Sequence, residues 1–276
     1  MFEKQLEWVR HLQEALRSPW LDGFFKAWDF VDSAYFSIIV ISLIWYLWDR
    51  RIGIRLFYLL IISLAVNKIL KGIFDLPRPC QIDPLVGILC SRTPGFPSGA
   101  AQTATILAGL VFIECKRTLY RGLALIFAFL LCFSRVYLGL HYPIDILGGI
   151  AVGSVLLFLY SKGFSYMEKY GKILAILFPF FLLVLGQLFP LPHSWIVYIF
   201  WATLGVATGL LCYDKMHVRE VKRMRLRAVQ AYSVLGGLAI LFVAKHFLPG
   251  FEFLWDFGQG FWLSFLGGWV AKFHRA

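Results

Sequence analysis

Charged residues are scarce in this 276-residue chain, 16% against 59% hydrophobic and 18% aromatic, at a mean hydropathy of +0.71. A soluble domain carries about a quarter charged residues. The shortage excludes an ordinary soluble enzyme and a disordered chain, and it assigns the apolar excess to lipid. Cysteine is sparse too, five in all, which excludes a small disulfide scaffold. The six histidines, at 11, 141, 193, 217, 246 and 274, are scattered without the spacing of metal ligands. The first thirty residues are charged throughout and hold no continuous apolar stretch, so no cleavable signal peptide is expected. Low-complexity stretches and a soluble second domain are lacking as well.

What is present is an all-α pattern. A membrane-crossing helix needs about 20 mostly apolar residues. Segments near that length run at Ser33–Trp48, Leu56–Leu70, Ser98–Ile113, Gly122–Ser134, Pro143–Tyr160, Ile173–Phe189, Trp195–Tyr213, Val229–Leu248 and Gly258–Val270. They predict a polytopic integral membrane helix bundle of about nine transmembrane helices. Basic residues outnumber acidic ones, 27 to 16, for a net charge of +11. They fall mainly in the short loops between spans, a pattern of membrane orientation rather than of nucleic-acid binding. Seventeen of the 27, from Arg50 through Lys116, Lys162 and the Lys215–Arg227 loop to Arg275, share one side, which the positive-inside rule makes cytoplasmic.

Residues 1–32 form an amphipathic segment in which Phe2, Leu6, Val9, Leu12 and Leu16 recur at helical spacing. Two readings stand, an anchor in the membrane interface or a helix packed on the bundle. Residues 33–160 then form a core of five spans, and 161–276 supply further spans of unassigned role. A Trp-Asp-Phe triplet at 28–30 recurs at 255–257 and reads as coincidence.

Charge at membrane depth marks function by default, and three clusters lie on the side opposite the basic loops. Lys71 precedes Arg78-Pro79 at the exit of the second span. Pro97-Ser98-Gly99 opens the third. Ser134-Arg135 leads through His141 to Asp145, between the fourth and fifth. Three cations left unpaired would repel, so a multivalent anion is the expected occupant, and the arginine fork suits phosphate oxygens. Ser98 starts a helix whose free N–H groups add to such a site. His141 and Asp145 are four apart behind a helix-starting Pro143, so the carboxylate can hold Nδ1–H and leave Nε2 free to attack phosphorus.

In that order these motifs resemble the type-2 phosphatidic-acid phosphatase superfamily, which includes lipid phosphate phosphatases and glucose-6-phosphatase. The resemblance covers roughly residues 30–160. It implies that His141 forms a phosphohistidine, that Asp145 orients it, and that Lys71, Arg78, Ser98, Gly99 and Arg135 cradle the phosphate, without metal or other cofactor. The expected substrate is a lipid phosphate or diphosphate. A soluble sugar phosphate, or phosphate binding without hydrolysis, are the alternatives. The expected setting is a bacterial inner membrane with the site facing the periplasm, among membrane lipids; the oligomeric state is open.

The second motif departs from the family, because Ala100 stands where the resemblance calls for the histidine that protonates the leaving group. Loss of a positioned acid lowers a rate about 10²–10⁴-fold, so a low-activity variant is expected. A substitution made to trap substrate and a natural departure are the two readings, and the intact remainder of the motifs favours the first. Cys80 and Cys90 share the loop between the first two motifs and could pair in an oxidising compartment. Gly148, Gly149 and Gly153 are placed to let the fifth helix approach its neighbours.

Overall fold

The structure, a computed structural model, describes residues 2–189, 191–216, 224–248, 250–266 and 269. Among them there are helices and no strands. In chain order the helices are α1 (Phe2–Leu16), α2 (Pro19–Ala27), a 3₁₀ turn (Trp28–Asp32), α3 (Ala34–Leu43) running into a π-helical turn (Ile44–Trp48), and α4 (Arg50–Phe74). Then come α5 (Pro79–Ile82), a 3₁₀ turn (Pro84–Val86), α6 (Gly99–Glu114), α7 (Thr118–Tyr137) and α8 (Pro143–Leu188). The chain continues as α9 (His193–Lys215), α10 (Met224–Phe247) and α11 (Glu252–Phe261), which ends in a π-helical turn (Trp262–Leu266).

Local chemistry sets several of these boundaries. Ser18 is extended and its Oγ accepts from Leu21 N, while Pro19 supplies the first helical residue of α2, where its missing N–H costs nothing. Ser98 caps α6 in the same way. Pro143 opens α8, with Asp145 in the first turn, where a carboxylate suits the helix dipole.

Among the described residues, fewer than nine of the apolar segments form bilayer-length helices. Six stretches among the described residues are long and apolar enough to cross: Arg50–Ile82, Thr118–Tyr137, Pro143–Gly163, Lys169–Leu188, His193–Lys215 and Met224–Phe247. A seventh arises if Pro19–Asp32 and Ala34–Trp48, bent by 65°, are counted as one span. The apolar α6 has 16 residues, about 24 Å at 1.5 Å each, short of the ~30 Å hydrocarbon core. The loop expected after Tyr160 is absent as a break, because helix runs on through α8. The ninth segment reaches past α11 into Gly267, Gly268 and Val270, which lie outside the described residues. So do Arg219, Lys222, Arg223, Lys272 and Arg275 of the basic side.

Two compact units divide the chain. One comprises Met1–Ser37 and Leu59–Lys162, the other Ile38–Tyr58 and Gly163–Ala276. In the second, Gly205 and Gly260 bring α9 and α11 together so closely that a Cβ on either would meet a facing carbonyl, Phe257 O or Ala202 O. Tyr46 there donates to Leu263 O at 2.5 Å.

The first unit holds all three motif clusters. Its helix α1 packs on the unit: Leu6 and Val9 are buried with Val86, Ala101, Val136, Tyr142 and Ile146. The buried Gln13 donates to Val86 O and Tyr137 O at 2.9 and 2.7 Å. Arg10 pairs with Asp83 at 2.7 Å. That pairing and the Leu85 N–H, the larger influence, hold the Asp83 carboxyl below its usual range. Helix α8 meets the start of α6 at Gly149, where a Cβ would stand 2.4 Å from Ser98 O.

Candidate active site

The chemistry-bearing residues of the first unit surround one open cavity of about 430 Å³. Its wall includes Lys71 from the last turn of α4, Arg78 from the following loop, Gly99 from α6, Arg135 from α7 and His141 from the α7–α8 turn. Segments remote in sequence therefore meet around a common space.

Arg78 is the organiser. Its Nε donates to Thr93 O at 2.7 Å, its Nη2 to Thr93 Oγ1 at 2.9 Å, and its Nη1 to Leu140 O at 2.8 Å. Nη1 also lies 3.0 Å from His141 Nε2. A guanidinium only donates, so Nε2 carries its lone pair and the ring proton belongs on Nδ1. That nitrogen faces Asp145 Oδ2 at 3.4 Å, a long contact. The same oxygen accepts from Tyr142 N at 2.9 Å, and Asp145 Oδ1 has no partner among the described residues. His141 lies in the turn between spans and is 3% exposed. Burial first, then Arg78, Lys71 and Arg135, hold its pKa well below the ordinary imidazole value. The ring is neutral with Nε2 unprotonated, the state a nucleophile needs.

The other cations have partners, which corrects the expectation of an unpaired trio. Lys71 Nζ donates to the carbonyl oxygens of Pro94 and Gly95. Arg135, 1% exposed, donates from Nε to Ser134 Oγ at 3.1 Å, and from Nη1 to Asp29 Oδ1 at 2.7 Å and Asp32 Oδ2 at 3.4 Å. A guanidinium buried to that degree requires such company. Its Nη2 is left with no partner among the described residues.

Ser98 and Asp145 stand behind the cavity rather than in its wall. Ser98 is fully buried, with Oγ accepting from Ala101 N at 3.4 Å and its own N donating to Asp145 O at 2.9 Å. It thereby ties α6 to the start of α8. Ala100 is 1% exposed, clustered with Ala104 and Leu131. Cys80 and Cys90 form a disulfide, and Cys80 N donates to Gly139 O at 3.1 Å. Gly139, at φ +71°, turns the chain toward His141, and a Cβ there would lie 2.1 Å from Val86 O. Sequence reasoning missed Asp29, Asp32 and Thr93. Two acids three apart in an otherwise aromatic stretch were the available signal for the first two. Thr93 had none. Among the described residues no group of three or more His, Cys, Asp and Glu side chains is assembled for a metal ion.

Residues 52–169 match the PAP2 superfamily. Dihydrosphingosine 1-phosphate phosphatase YSR3 of Saccharomyces cerevisiae is 29% identical over 170 residues, covering 57% of this chain and 42% of that protein. Phosphatidylglycerophosphatase B of Bacillus subtilis is 29% identical over 163 residues, covering 54% of this chain and 78% of that protein. The chain thus spans under half the length of the yeast relative. The crystal structure of Aquifex aeolicus LpxE shares the fold, with a TM-score of 0.52 at 23% identity over 57% of this chain and 94% of that one. The PAP2 match and the long apolar helices make this an integral membrane protein.

Proposed function

We propose that the chain is a membrane phosphatase that hydrolyses the phosphomonoester or diphosphate of a lipid through a phosphohistidine on His141. One observation carries the reading: the unprotonated Nε2 of His141 sits 3.0 Å from the Arg78 guanidinium, in a cavity also walled by Lys71 and Arg135. A phosphoryl group seated there would find the nucleophile and its charge-neutralising donors together. Guanidinium N–H groups, the lysine ammonium and the backbone N–H groups opening α6 stabilise the equatorial oxygens as charge develops. Asp145 holds Nδ1–H, so that positive charge gained by the ring on attack is met by a buried carboxylate. The yeast and Bacillus subtilis relatives, a dihydrosphingosine 1-phosphate phosphatase and a phosphatidylglycerophosphatase, support the substrate class. An amphiphile could leave its tail in the bilayer while its phosphate reaches the cavity, on the face opposite the basic loops. By the charge rule that face is periplasmic in a bacterial inner membrane.

The test is phosphate release from phosphatidic acid and sphingosine 1-phosphate in mixed micelles, with glucose 6-phosphate alongside. Lipid phosphates are expected to be hydrolysed, and His141→Ala to lower the rate by about 10⁴-fold or more. Release from the sugar phosphate alone would replace the lipid reading. Tight phosphate binding with no release from any ester would make the chain a binder.

A further inference from the structure

Position 100 is where this chain leaves the PAP2 pattern, and Ala100 is buried within a packed apolar cluster. Ala100 packs with Ala104 and Leu131, and Trp28 and Val31 lie against that cluster. Trp28 and Val31 belong to the 3₁₀ turn Trp28–Asp32, whose Asp29 and Asp32 line the cavity with His141, Arg78 and Lys71. An imidazole at 100 would have to be fitted into the cluster on which Trp28 and Val31 pack, which links a small residue there to the seating of this turn.

We propose that Asp32 performs the proton transfer for which the position-100 imidazole is missing; the proposal rests on the phosphatase reading above. Chemistry narrows the candidates in the cavity wall. Serine and threonine hydroxyls and arginine hold their protons too tightly near neutral pH. Lys71 is engaged by the Pro94 and Gly95 carbonyls, and His141 is the nucleophile. Only Asp29 and Asp32 remain among the titratable wall residues. Asp29 sits on the Arg135 guanidinium at 2.7 Å and Asp32 at 3.4 Å. Asp32 is the less neutralised of the pair, and although its side chain is less exposed than that of Asp29, 33% against 53%, it still lines the cavity. Asp29 is the positioning residue, fixing Arg135 so that its unpartnered, buried Nη2 is available to a phosphate oxygen.

The steps balance. His141 Nε2 attacks phosphorus, an N–P bond forms, and the P–O bond to the alkoxide breaks as the Asp32 carboxylic acid passes its proton to that oxygen. Water then attacks phosphorus while the Asp32 carboxylate takes a proton from it. The N–P bond breaks, inorganic phosphate leaves, and the imidazole and carboxylic acid are restored.

The experiment compares single-turnover cleavage of a long-chain alkyl phosphate and of p-nitrophenyl phosphate by the full chain and by Asp32→Asn. The alkoxide needs a proton to leave and nitrophenolate does not. Asp32→Asn is therefore expected to slow the alkyl ester by about 10²–10⁴-fold while aryl cleavage stays near the unsubstituted rate and phosphohistidine accumulates. Asp32→Glu should recover part of the alkyl rate. Ala100→His should give no gain, since Trp28 and Val31 pack on the cluster that holds Ala100. Equal loss on both esters, no loss on either, or a gain of about 10²-fold from Ala100→His overturns the proposal while leaving the phosphatase reading intact. No cleavage of either ester by the unsubstituted protein overturns both.

Discussion

His141 illustrates how one side chain's surroundings set its chemistry. Three cations and near-complete burial make its protonated form costly, so below the ordinary imidazole pKa the folded protein binds fewer protons there than the unfolded chain. Stability from this group is thus complete above about pH 6.5 and falls as pH drops through that value, by up to ~1.4 kcal/mol per unit. Thermal unfolding in detergent between about pH 7.5 and 5.5 should show that slope, and His141→Asn should flatten it by one proton's worth. Asp145→Asn keeps the shape but removes the charge facing Nδ1. We expect it to lower phosphate release by about 10²-fold or more with micellar substrate affinity retained, a split visible in kcat against KM.

Helices carry these side chains, and their contacts explain which substitutions reach the site from a distance. Gly149 lets α8 approach the α6 cap that Ser98 provides. Gly149→Ala should destabilise by about 1–3 kcal/mol, read as a lower unfolding midpoint. The glycine spacing had been read as a device for close helix approach, and it serves that contact. Helix α1 is fastened to its unit through Gln13, a polar residue on its inner face that bonds two buried carbonyls. Gln13→Ala should cost about 1–3 kcal/mol by leaving both unsatisfied, checked in the same unfolding assay. Gln13 was illegible in the sequence because its partners, Val86 and Tyr137, lie 73 and 124 residues away.

For the whole molecule the open question is orientation. If the cavity faces away from the basic loops, Leu85→Cys and Lys116→Cys lie on opposite sides of the membrane. With Cys115, Cys132 and Cys212 replaced by serine and the Cys80–Cys90 disulfide kept, a membrane-impermeant maleimide should label Leu85→Cys from the periplasmic side only. Lys116→Cys should react only after the membrane is opened. Labelling of both from one side would overturn the topology.

The membrane class and the all-α character were readable from the chain alone, and the motif spacings there nominated Lys71, Arg78, Arg135, His141 and Asp145 as candidates. Hydrophobicity and charge are local properties, and the motif spacings are short. What only the tertiary structure decided were the partners of those charges. Arg135 reaches back 106 residues to Asp29, and Trp28 and Val31 pack on the cluster that holds Ala100. The turn at Trp28–Asp32 places a carboxylate on that arginine. Such pairings depend on which helix faces pack together, and no periodicity along a single segment encodes its neighbour.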